Sequence, residues 1–286
     1  MDLESAEKFI YMEYFIVEEG VFWDSILNIL KKKASDGVEV KVLYDDIGCM
    51  TTLPGNYHKI LKSYGIEATP FSRLKGNADS EFNNRSHRKI TVILYPQQVE
   101  IREQGYLIPF GDGPYPIYKH RVGKSVIQNM LAGATKYAWV TSPYLIIDND
   151  LCTDFENAAL RGVDVRIIVP HIPDKKIVFA MTRSFYHRLM KAGVKLYEYE
   201  PGFVHAKSYL VDDAYAMIGT INLDYRSLVH HFENGVWMYR CEATKDLKAD
   251  MIDTLGKSIE VTPDMLKTNL LQRIIYSVVR IFAPMM

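Results

Sequence analysis

Ala34-Ser-Asp-Gly-Val-Glu-Val-Lys-Val-Leu43 returns further along the chain as Ala159-Leu-Arg-Gly-Val-Asp-Val-Arg-Ile-Ile168. In both copies the glycine closes a helix and the alternating β-branched residues open a strand. Working outward, Lys8-Phe-Ile-Tyr-Met12 corresponds to Lys136-Tyr-Ala-Trp-Val140, each a short apolar run of the kind that forms a buried strand. An aromatic, Tyr14 or Tyr144, and then acidic residues follow each run. Downstream, a second helix ends at Gly65-Ile66 in one copy and at Gly193-Val194 in the other. After each comes a histidine with a lysine two residues on, His87-Arg-Lys89-Ile90 and His205-Ala-Lys207-Ser208. Self-similarity in this order describes a duplicated unit rather than a single motif.

Strands alternating with helices give an α/β fold class. The expected architecture is two duplicated halves, each a mixed, largely parallel sheet flanked by helices, related as a pseudo-twofold pair. Residues 1–93 form the first half and 119–267 the second. Residues 94–118, with Gly105, Pro109, Gly111, Gly113, Pro114 and Pro116, read as a connector. Residues 268–286 read as a C-terminal amphipathic helix: Leu266, Leu270, Ile274, Val278 and Phe282 recur at four-residue spacing beside Lys267, Arg273 and Arg280, a pattern suited to a membrane interface. The second half continues past its histidine motif through Val211-Asp212, Ala214 to Gly219 and on to Trp237. The first half passes from Ile90-Thr-Val-Ile93 into Leu94-Tyr-Pro, so several tens of residues are expected to be missing at the 93/94 seam.

With 286 residues, 48% hydrophobic and 24% charged, the chain has a globular composition, which excludes disorder and coiled-coil rods. A formal net charge of −1 argues against a dedicated nucleic-acid binder, so any basic site must be local. Cys49, Cys152 and Cys241 are odd in number and widely spaced, which indicates neither a disulfide framework nor a zinc site. The acidic start, Met1-Asp-Leu-Glu, is unlike a secretory signal, and no apolar run reaches the ~18 residues of a spanning helix.

His205, Lys207 and Asp212 make a His-x-Lys-x4-Asp pattern, followed by Gly219-Thr-Ile-Asn222 and by Glu233. On a strand, period two places His205 and Lys207 on one face, where both reach a single phosphate. The lysine supplies fixed charge, the histidine attacks or protonates, Asn222 adds an amide donor, and Glu233 is placed to hold the second imidazole nitrogen.

These paired motifs resemble the phospholipase D superfamily, and the surrounding text is similar to bacterial cardiolipin synthases. The stretches that carry the resemblance are Met12-Glu-Tyr-Phe-Ile16, Tyr44-Asp-Asp-Ile-Gly48, Asn83-Asn-Arg-Ser-His-Arg-Lys-Ile90, Thr141-Ser-Pro-Tyr-Leu-Ile-Ile-Asp148 and Pro170-His-Ile-Pro-Asp-Lys175. Pro201-Gly-Phe-Val-His-Ala-Lys-Ser208, Gly219-Thr-Ile-Asn-Leu-Asp-Tyr-Arg-Ser227 and Arg280-Ile-Phe-Ala-Pro284 complete it.

The resemblance implies phospholipase D-like halves with the active site at their pseudo-twofold interface. It also implies a two-step transfer through a phosphohistidine, in which one histidine attacks and the other, protonated, serves the leaving alcohol. The expected reaction converts two phosphatidylglycerol molecules to cardiolipin and glycerol. His205, Lys207, Asp212, Asn222 and Glu233 carry over to the second motif, and His87 and Lys89 to the first. No metal and no cofactor are expected, and the implied partners are phosphatidylglycerol and an anionic membrane surface at the cytoplasmic face of a bacterial membrane. The chain as given begins beyond the membrane-spanning segments usual in such synthases, so peripheral attachment is expected.

Leu94 stands where the first motif's aspartate belongs, and the glycine turn, asparagine and acid that follow it in the family are missing. Impaired turnover is therefore expected. The alternatives are another phospholipase D-type phosphodiesterase activity, or a catalytically dead membrane-binding remnant.

Lesser signals have plainer readings. Gly123-Lys124-Ser125 is helix N-terminal sequence, because a phosphate loop needs glycine where Tyr118 stands. Asp45 and Asp46 read as turn or pocket-lining residues. His230 and His231, adjacent, would point oppositely on a strand and read as solvated or packing histidines. Tyr14, Tyr144, Phe179 and Phe185 are candidates for an acyl path or for core packing.

Overall fold

The computed structural model describes residues 2–73, 83–94 and 104–266. The expected helix over 268–286 lies outside them. The chain divides into two compact units, Met1–Arg102 and Glu103–Met286.

In the first unit the order is β1 (Phe9–Tyr14), α1 (Val21–Ser35), β2 (Glu39–Asp45), α2 (Tyr57–Ser63), β3 (Glu67–Phe71) and β4 (Ile90–Ile93). The sheet runs β3-β2-β1-β4, with β1, β2 and β3 parallel and β4 antiparallel to β1. Val40, Val42 and Tyr44 of β2 point inward and alternate with more exposed neighbours, as a half-buried strand requires. They meet Leu30, Leu61 and Ile66, while the Trp23 indole donates to the Tyr57 hydroxyl at 2.6 Å inside this core.

The second unit comprises β5 (Tyr106–Asp112), α3 (Val122–Gly133), β6 (Tyr137–Thr141), β7 (Leu145–Ile146), α4 (Asn149–Leu160), β8 (Asp164–Pro170), α5 (Lys176–Lys191) and β9 (Lys195–Tyr199). It continues with β10 (Ser208–Val211), β11 (Tyr215–Gly219), β12 (Leu223–Asp224), α6 (Tyr225–Val229), β13 (Glu233–Tyr239), α7 (Ala243–Gly256) and β14 (Ser258–Glu260). Its main sheet runs β14-β9-β8-β6-β10-β11-β13-β5, and β7 and β12 form a small parallel pair. The core beneath it gathers Leu145, Phe155, Ile167, Tyr186 and Leu196; Phe185 packs there too, so core packing accounts for it.

The duplication is visible in backbone detail. Gly37 and Gly162 adopt φ of 87° and 90°, left-handed values that glycine reaches without steric cost. In both places the next residue's N–H reaches back over the helix end, Val38 to the Lys33 carbonyl at 3.0 Å and Val163 to the Ala158 carbonyl at 3.2 Å. The second helices close alike, Ile66 onto Leu61 and Val194 onto Leu189, both at 3.1 Å.

The sheets of both units are mixed, as expected, but only that of the first is largely parallel. In the main sheet of the second unit β6, β8 and β9 pair in parallel and the remaining ladders are antiparallel. The cause is connection length, since β10 and β11 follow one another across a tight turn, which only antiparallel neighbours allow. The stretch read as a connector also contains β5, paired along its whole length with β13. Pro109 is tolerated there because β5 is an edge strand and needs no donor on its outer side.

All three cysteines are buried thiols outside any disulfide, and burial pushes the Cys49 thiol up to about 11. Among the described residues no helix is long and apolar enough to cross a membrane.

One close approach aligns the strands that carry the motif. A Cβ on Gly219 would lie 2.3 Å from the Asn234 carbonyl oxygen and 2.7 Å from the Gly235 Cα, both main-chain atoms. Gly219→Ala is therefore expected to cost about 1–3 kcal/mol in denaturant unfolding. Gly256→Ala, at the end of α7 in open space, should change stability by no more than about 0.5 kcal/mol as the control.

Candidate active site

His205 and Lys207 lie in the extended run just before β10 rather than on the strand itself. Period two still holds there. The Lys207 ammonium sits 3.0 Å from His205 Nδ1 and donates to the His205 carbonyl at 2.6 Å. An ammonium has only donors, so Nδ1 accepts and a neutral ring carries its proton on Nε2. His205 is exposed whereas Lys207 is buried. The Phe203 ring lies 5.8 Å from the imidazole and is itself 6.1 Å from Tyr144, whose hydroxyl donates to Asp174.

The ends of β10, β11 and β13 bring further groups to the same edge of the sheet. Gly219 N–H donates to the Lys207 carbonyl at 3.3 Å, and the Thr220 hydroxyl donates to the buried Glu233 carboxylate. Glu233 Oε1 also stands 3.6 Å from Nδ1 of His231. Asn222 donates an amide hydrogen to Asp224 at 2.7 Å, and Asp224 caps α6 through the Ser227 N–H. Asn222 Oδ1 is buried and has no hydrogen-bond partner among the described residues. His231 is thus a neighbour of the proposed acid and was missed by the sequence reading. It occupies a bend between α6 and β13, so the assumption of a strand failed. The informative signal was the two-residue spacing from His231 to Glu233.

Asp212 stands apart from this group. It lies beyond the far end of β10, where its carboxylate accepts from the N–H groups of Thr135, Lys136 and Tyr137 and from the Thr135 hydroxyl, all within 2.9 Å. Burial pushes its carboxyl up, but the bonds from Tyr137 and Thr135 outweigh it and hold the group below the usual carboxylate range. With β10 intervening, Asp212 does not touch His205 or Lys207: it ties the start of β6 to the end of β10.

In the first unit the lysine makes the same fold-back, Lys89 Nζ donating to the His87 carbonyl at 2.6 Å. Here the burial is reversed, with His87 buried and Lys89 exposed. The Phe15 ring meets His87 edge-on at 5.2 Å, with the Lys89 ammonium 5.7 Å from its centroid. Two carboxylates at the ends of β1 and β2 hold the backbone around His87. Glu13 binds the Ser86 hydroxyl and the Arg88 guanidinium. Asp45, fully buried, accepts from the N–H groups of Ile47, Gly48 and Ser86 and meets Arg85 at 3.4 Å. Burial lifts the Asp45 carboxyl above its ordinary range despite those bonds. Glu13 was not foreseen, because nothing in its spacing separates it from a solvated strand residue.

Leu94, in the position of Asp212, has no carboxylate to offer. Its main-chain oxygen instead accepts from Glu7 N–H at 3.4 Å, and Glu7 corresponds in the repeat to Thr135.

The family model described as cardiolipin synthase, PLD-like domain, matches residues 127–254. A Streptococcus mutans protein of uncharacterized function is 38% identical, over 99% of this chain and 75% of its own length. A cardiolipin synthase of Alkalihalophilus pseudofirmus is 33% identical, over 99% of this chain and 69% of its own. Each of these alignments runs over 346 positions against a chain of 286 residues, so at least 60 positions face a gap in this chain. Among solved structures, phosphatidylserine synthase from Haemophilus influenzae matches at a TM-score of 0.72 and 15% identity, over 99% of this chain and 89% of that one, a likeness of fold.

Asp212→Ala is expected to lower stability by about 2–4 kcal/mol at pH 7. Because the folded carboxyl titrates below its unfolded value, the wild-type advantage should hold above pH ~4 and vanish as pH falls through the folded pKa. Parallel melts of wild type and variant from pH 7 to pH 2 check this; a pH-independent gap would refute the clamp.

Proposed function

Because the chain belongs to the cardiolipin synthase family of the phospholipase D superfamily, we propose that it is a phosphatidyltransferase that joins two phosphatidylglycerol molecules into cardiolipin and releases glycerol. The observation that carries the reading is the lysine folded onto the histidine of its own motif in each unit, at 2.6 Å both times. In the second unit that contact keeps a fixed positive charge beside the ring and ready for a phosphoryl oxygen. A phosphate arriving at Lys207 competes for the ammonium and frees Nδ1 of His205.

In the first step one imidazole nitrogen attacks phosphorus, the bond to the departing glycerol oxygen breaks, and the other histidine gives that oxygen its proton. In the second step the now neutral histidine takes the proton from a hydroxyl of the second phosphatidylglycerol. That oxygen attacks phosphorus and the phosphorus–nitrogen bond breaks. The scheme needs two histidines in opposite protonation states, and each unit supplies one. Glu233 and Thr220 belong to the second unit's end of this chemistry, with His231 as their neighbour. Asp212 has a positioning role through β6 and β10. The motif of the first unit has no acid or asparagine following it at family spacing, so turnover is slow in this reading. The site of action is a lipid surface, at the cytoplasmic face of a bacterial membrane.

Purified protein is incubated with vesicles containing labelled phosphatidylglycerol, and the lipid products are separated. Cardiolipin is expected with the wild type, and His205→Ala should reduce its rate about 10²–10⁴-fold. Phosphatidic acid in place of cardiolipin would make the protein a hydrolase on the same scaffold. No lipid product at all would overturn the catalytic reading.

A further inference from the structure

Residues 113–121, Gly-Pro-Tyr-Pro-Ile-Tyr-Lys-His-Arg, form a surface loop in the second unit, closed at its base by one side chain. The buried Asp112 carboxylate accepts from the N–H of Gly113 at 2.9 Å on the way out and from those of Val122 at 3.1 Å and Gly123 at 2.7 Å on the way back. Tyr118 is the inward anchor. Its ring packs edge-on against Phe232 at 6.4 Å and lies so close to Gly113 that a Cβ there would be 2.6 Å from it.

With the base and one aromatic fixed, the rest of the loop faces outward. Tyr115 is 79% exposed and Ile117 is 67% exposed, and Lys119, His120 and Arg121 directly after them are exposed as well. Lys124, on the first turn of α3, is already held by Asp148 and Asp150 at 2.6 and 2.8 Å. No such carboxylate partner among the described residues meets Lys119 or Arg121.

Large exposed apolar side chains also occur in the first unit, where Val21 and Phe22 stand next to Glu18 and Glu19. That patch carries the sign an anionic surface repels. The loop after β5 combines an apolar tip with uncompensated positive charge, the composition that enters the headgroup layer of an anionic bilayer. Its place in the fold fits as well. Asp112 pairs with Glu233 in the ladder between β5 and β13, so the loop springs from the edge of the sheet that carries Glu233.

We infer that the 113–121 loop is a membrane-docking element: Tyr115 and Ile117 insert among the headgroups of an anionic lipid surface while Lys119, His120 and Arg121 meet its phosphates. The choice of lipid as the occupant rests on the phosphatidyltransferase reading above. The surface itself rests on exposure and charge.

The test is sedimentation of the full chain with vesicles of phosphatidylglycerol and phosphatidylcholine, and with phosphatidylcholine alone, at low and high salt and without measuring turnover. Wild type should partition onto the anionic vesicles and be released by salt. Lys119→Gln with Arg121→Gln should weaken partitioning about 25-fold, near fivefold per charge, and Tyr115→Ser with Ile117→Ser at least about tenfold. Phe22→Ser, the exposed control in the first unit, should bind as wild type. Unchanged binding of both loop variants, equal binding to neutral vesicles, or no binding by the wild type would each overturn the inference. Circular dichroism melts that match wild type exclude unfolding as the cause of a loss. Because binding is read apart from chemistry, a protein that makes no cardiolipin yet loses vesicle affinity with the loop variants would refute the proposed reaction and keep the docking element.

Discussion

Three aspartates, each accepting three main-chain N–H bonds, hold the segments on which everything else rests. Asp45 takes them from Ile47, Gly48 and Ser86, Asp112 from Gly113, Val122 and Gly123, and Asp212 from Thr135, Lys136 and Tyr137. A carboxylate taken out of water is costly unless its lone pairs are met, and main-chain donors meet them without the rotamer entropy of a lysine or arginine partner. The balance differs among the three. Burial dominates at Asp45, and at Asp112 with Glu233 adding to it, so both carboxyls are raised; at Asp212 the donors win and the carboxyl is lowered. Each joins strand ends or loop ends that are separated in sequence, so each is a joint of the fold.

The histidine–lysine contacts are, by contrast, local in character. A lysine that reaches the carbonyl of the histidine two residues earlier needs only extended backbone, which explains why the contact has the same length in two different settings. The settings are less alike than the contact. His87 is buried with an aromatic edge against it, whereas His205 is exposed with its lysine buried. The proposed reaction gives the two histidines unlike tasks, and their surroundings are unlike as well.

The order of strands and helices, the helix closures at Gly37 and Gly162 and the meeting of His205 with Lys207 were legible in the sequence, because each depends on neighbours a few residues apart. What was not legible depends on long-range partners. Motif spacing groups Asp212 with His205 and Lys207, and only the arrival of the Thr135 to Tyr137 N–H groups at its carboxylate shows what it binds. Strand β5 hid within glycines and prolines because an edge strand tolerates residues that an interior strand rejects. The holding of Ser86 by Glu13 and Asp45 spans 73 and 41 residues, beyond any local pattern.

The two units solve one joint by different means. At the base of β6 the strand start is tied by the side chain of Asp212, and at the base of β1 Glu7 is tied by the main-chain oxygen of Leu94. A side-chain tie is lost by a single missense change. A main-chain tie survives nearly every substitution at either residue, proline at position 7 excepted, since every amino acid carries the same carbonyl. At this joint the shortened unit is therefore the genetically more robust of the two.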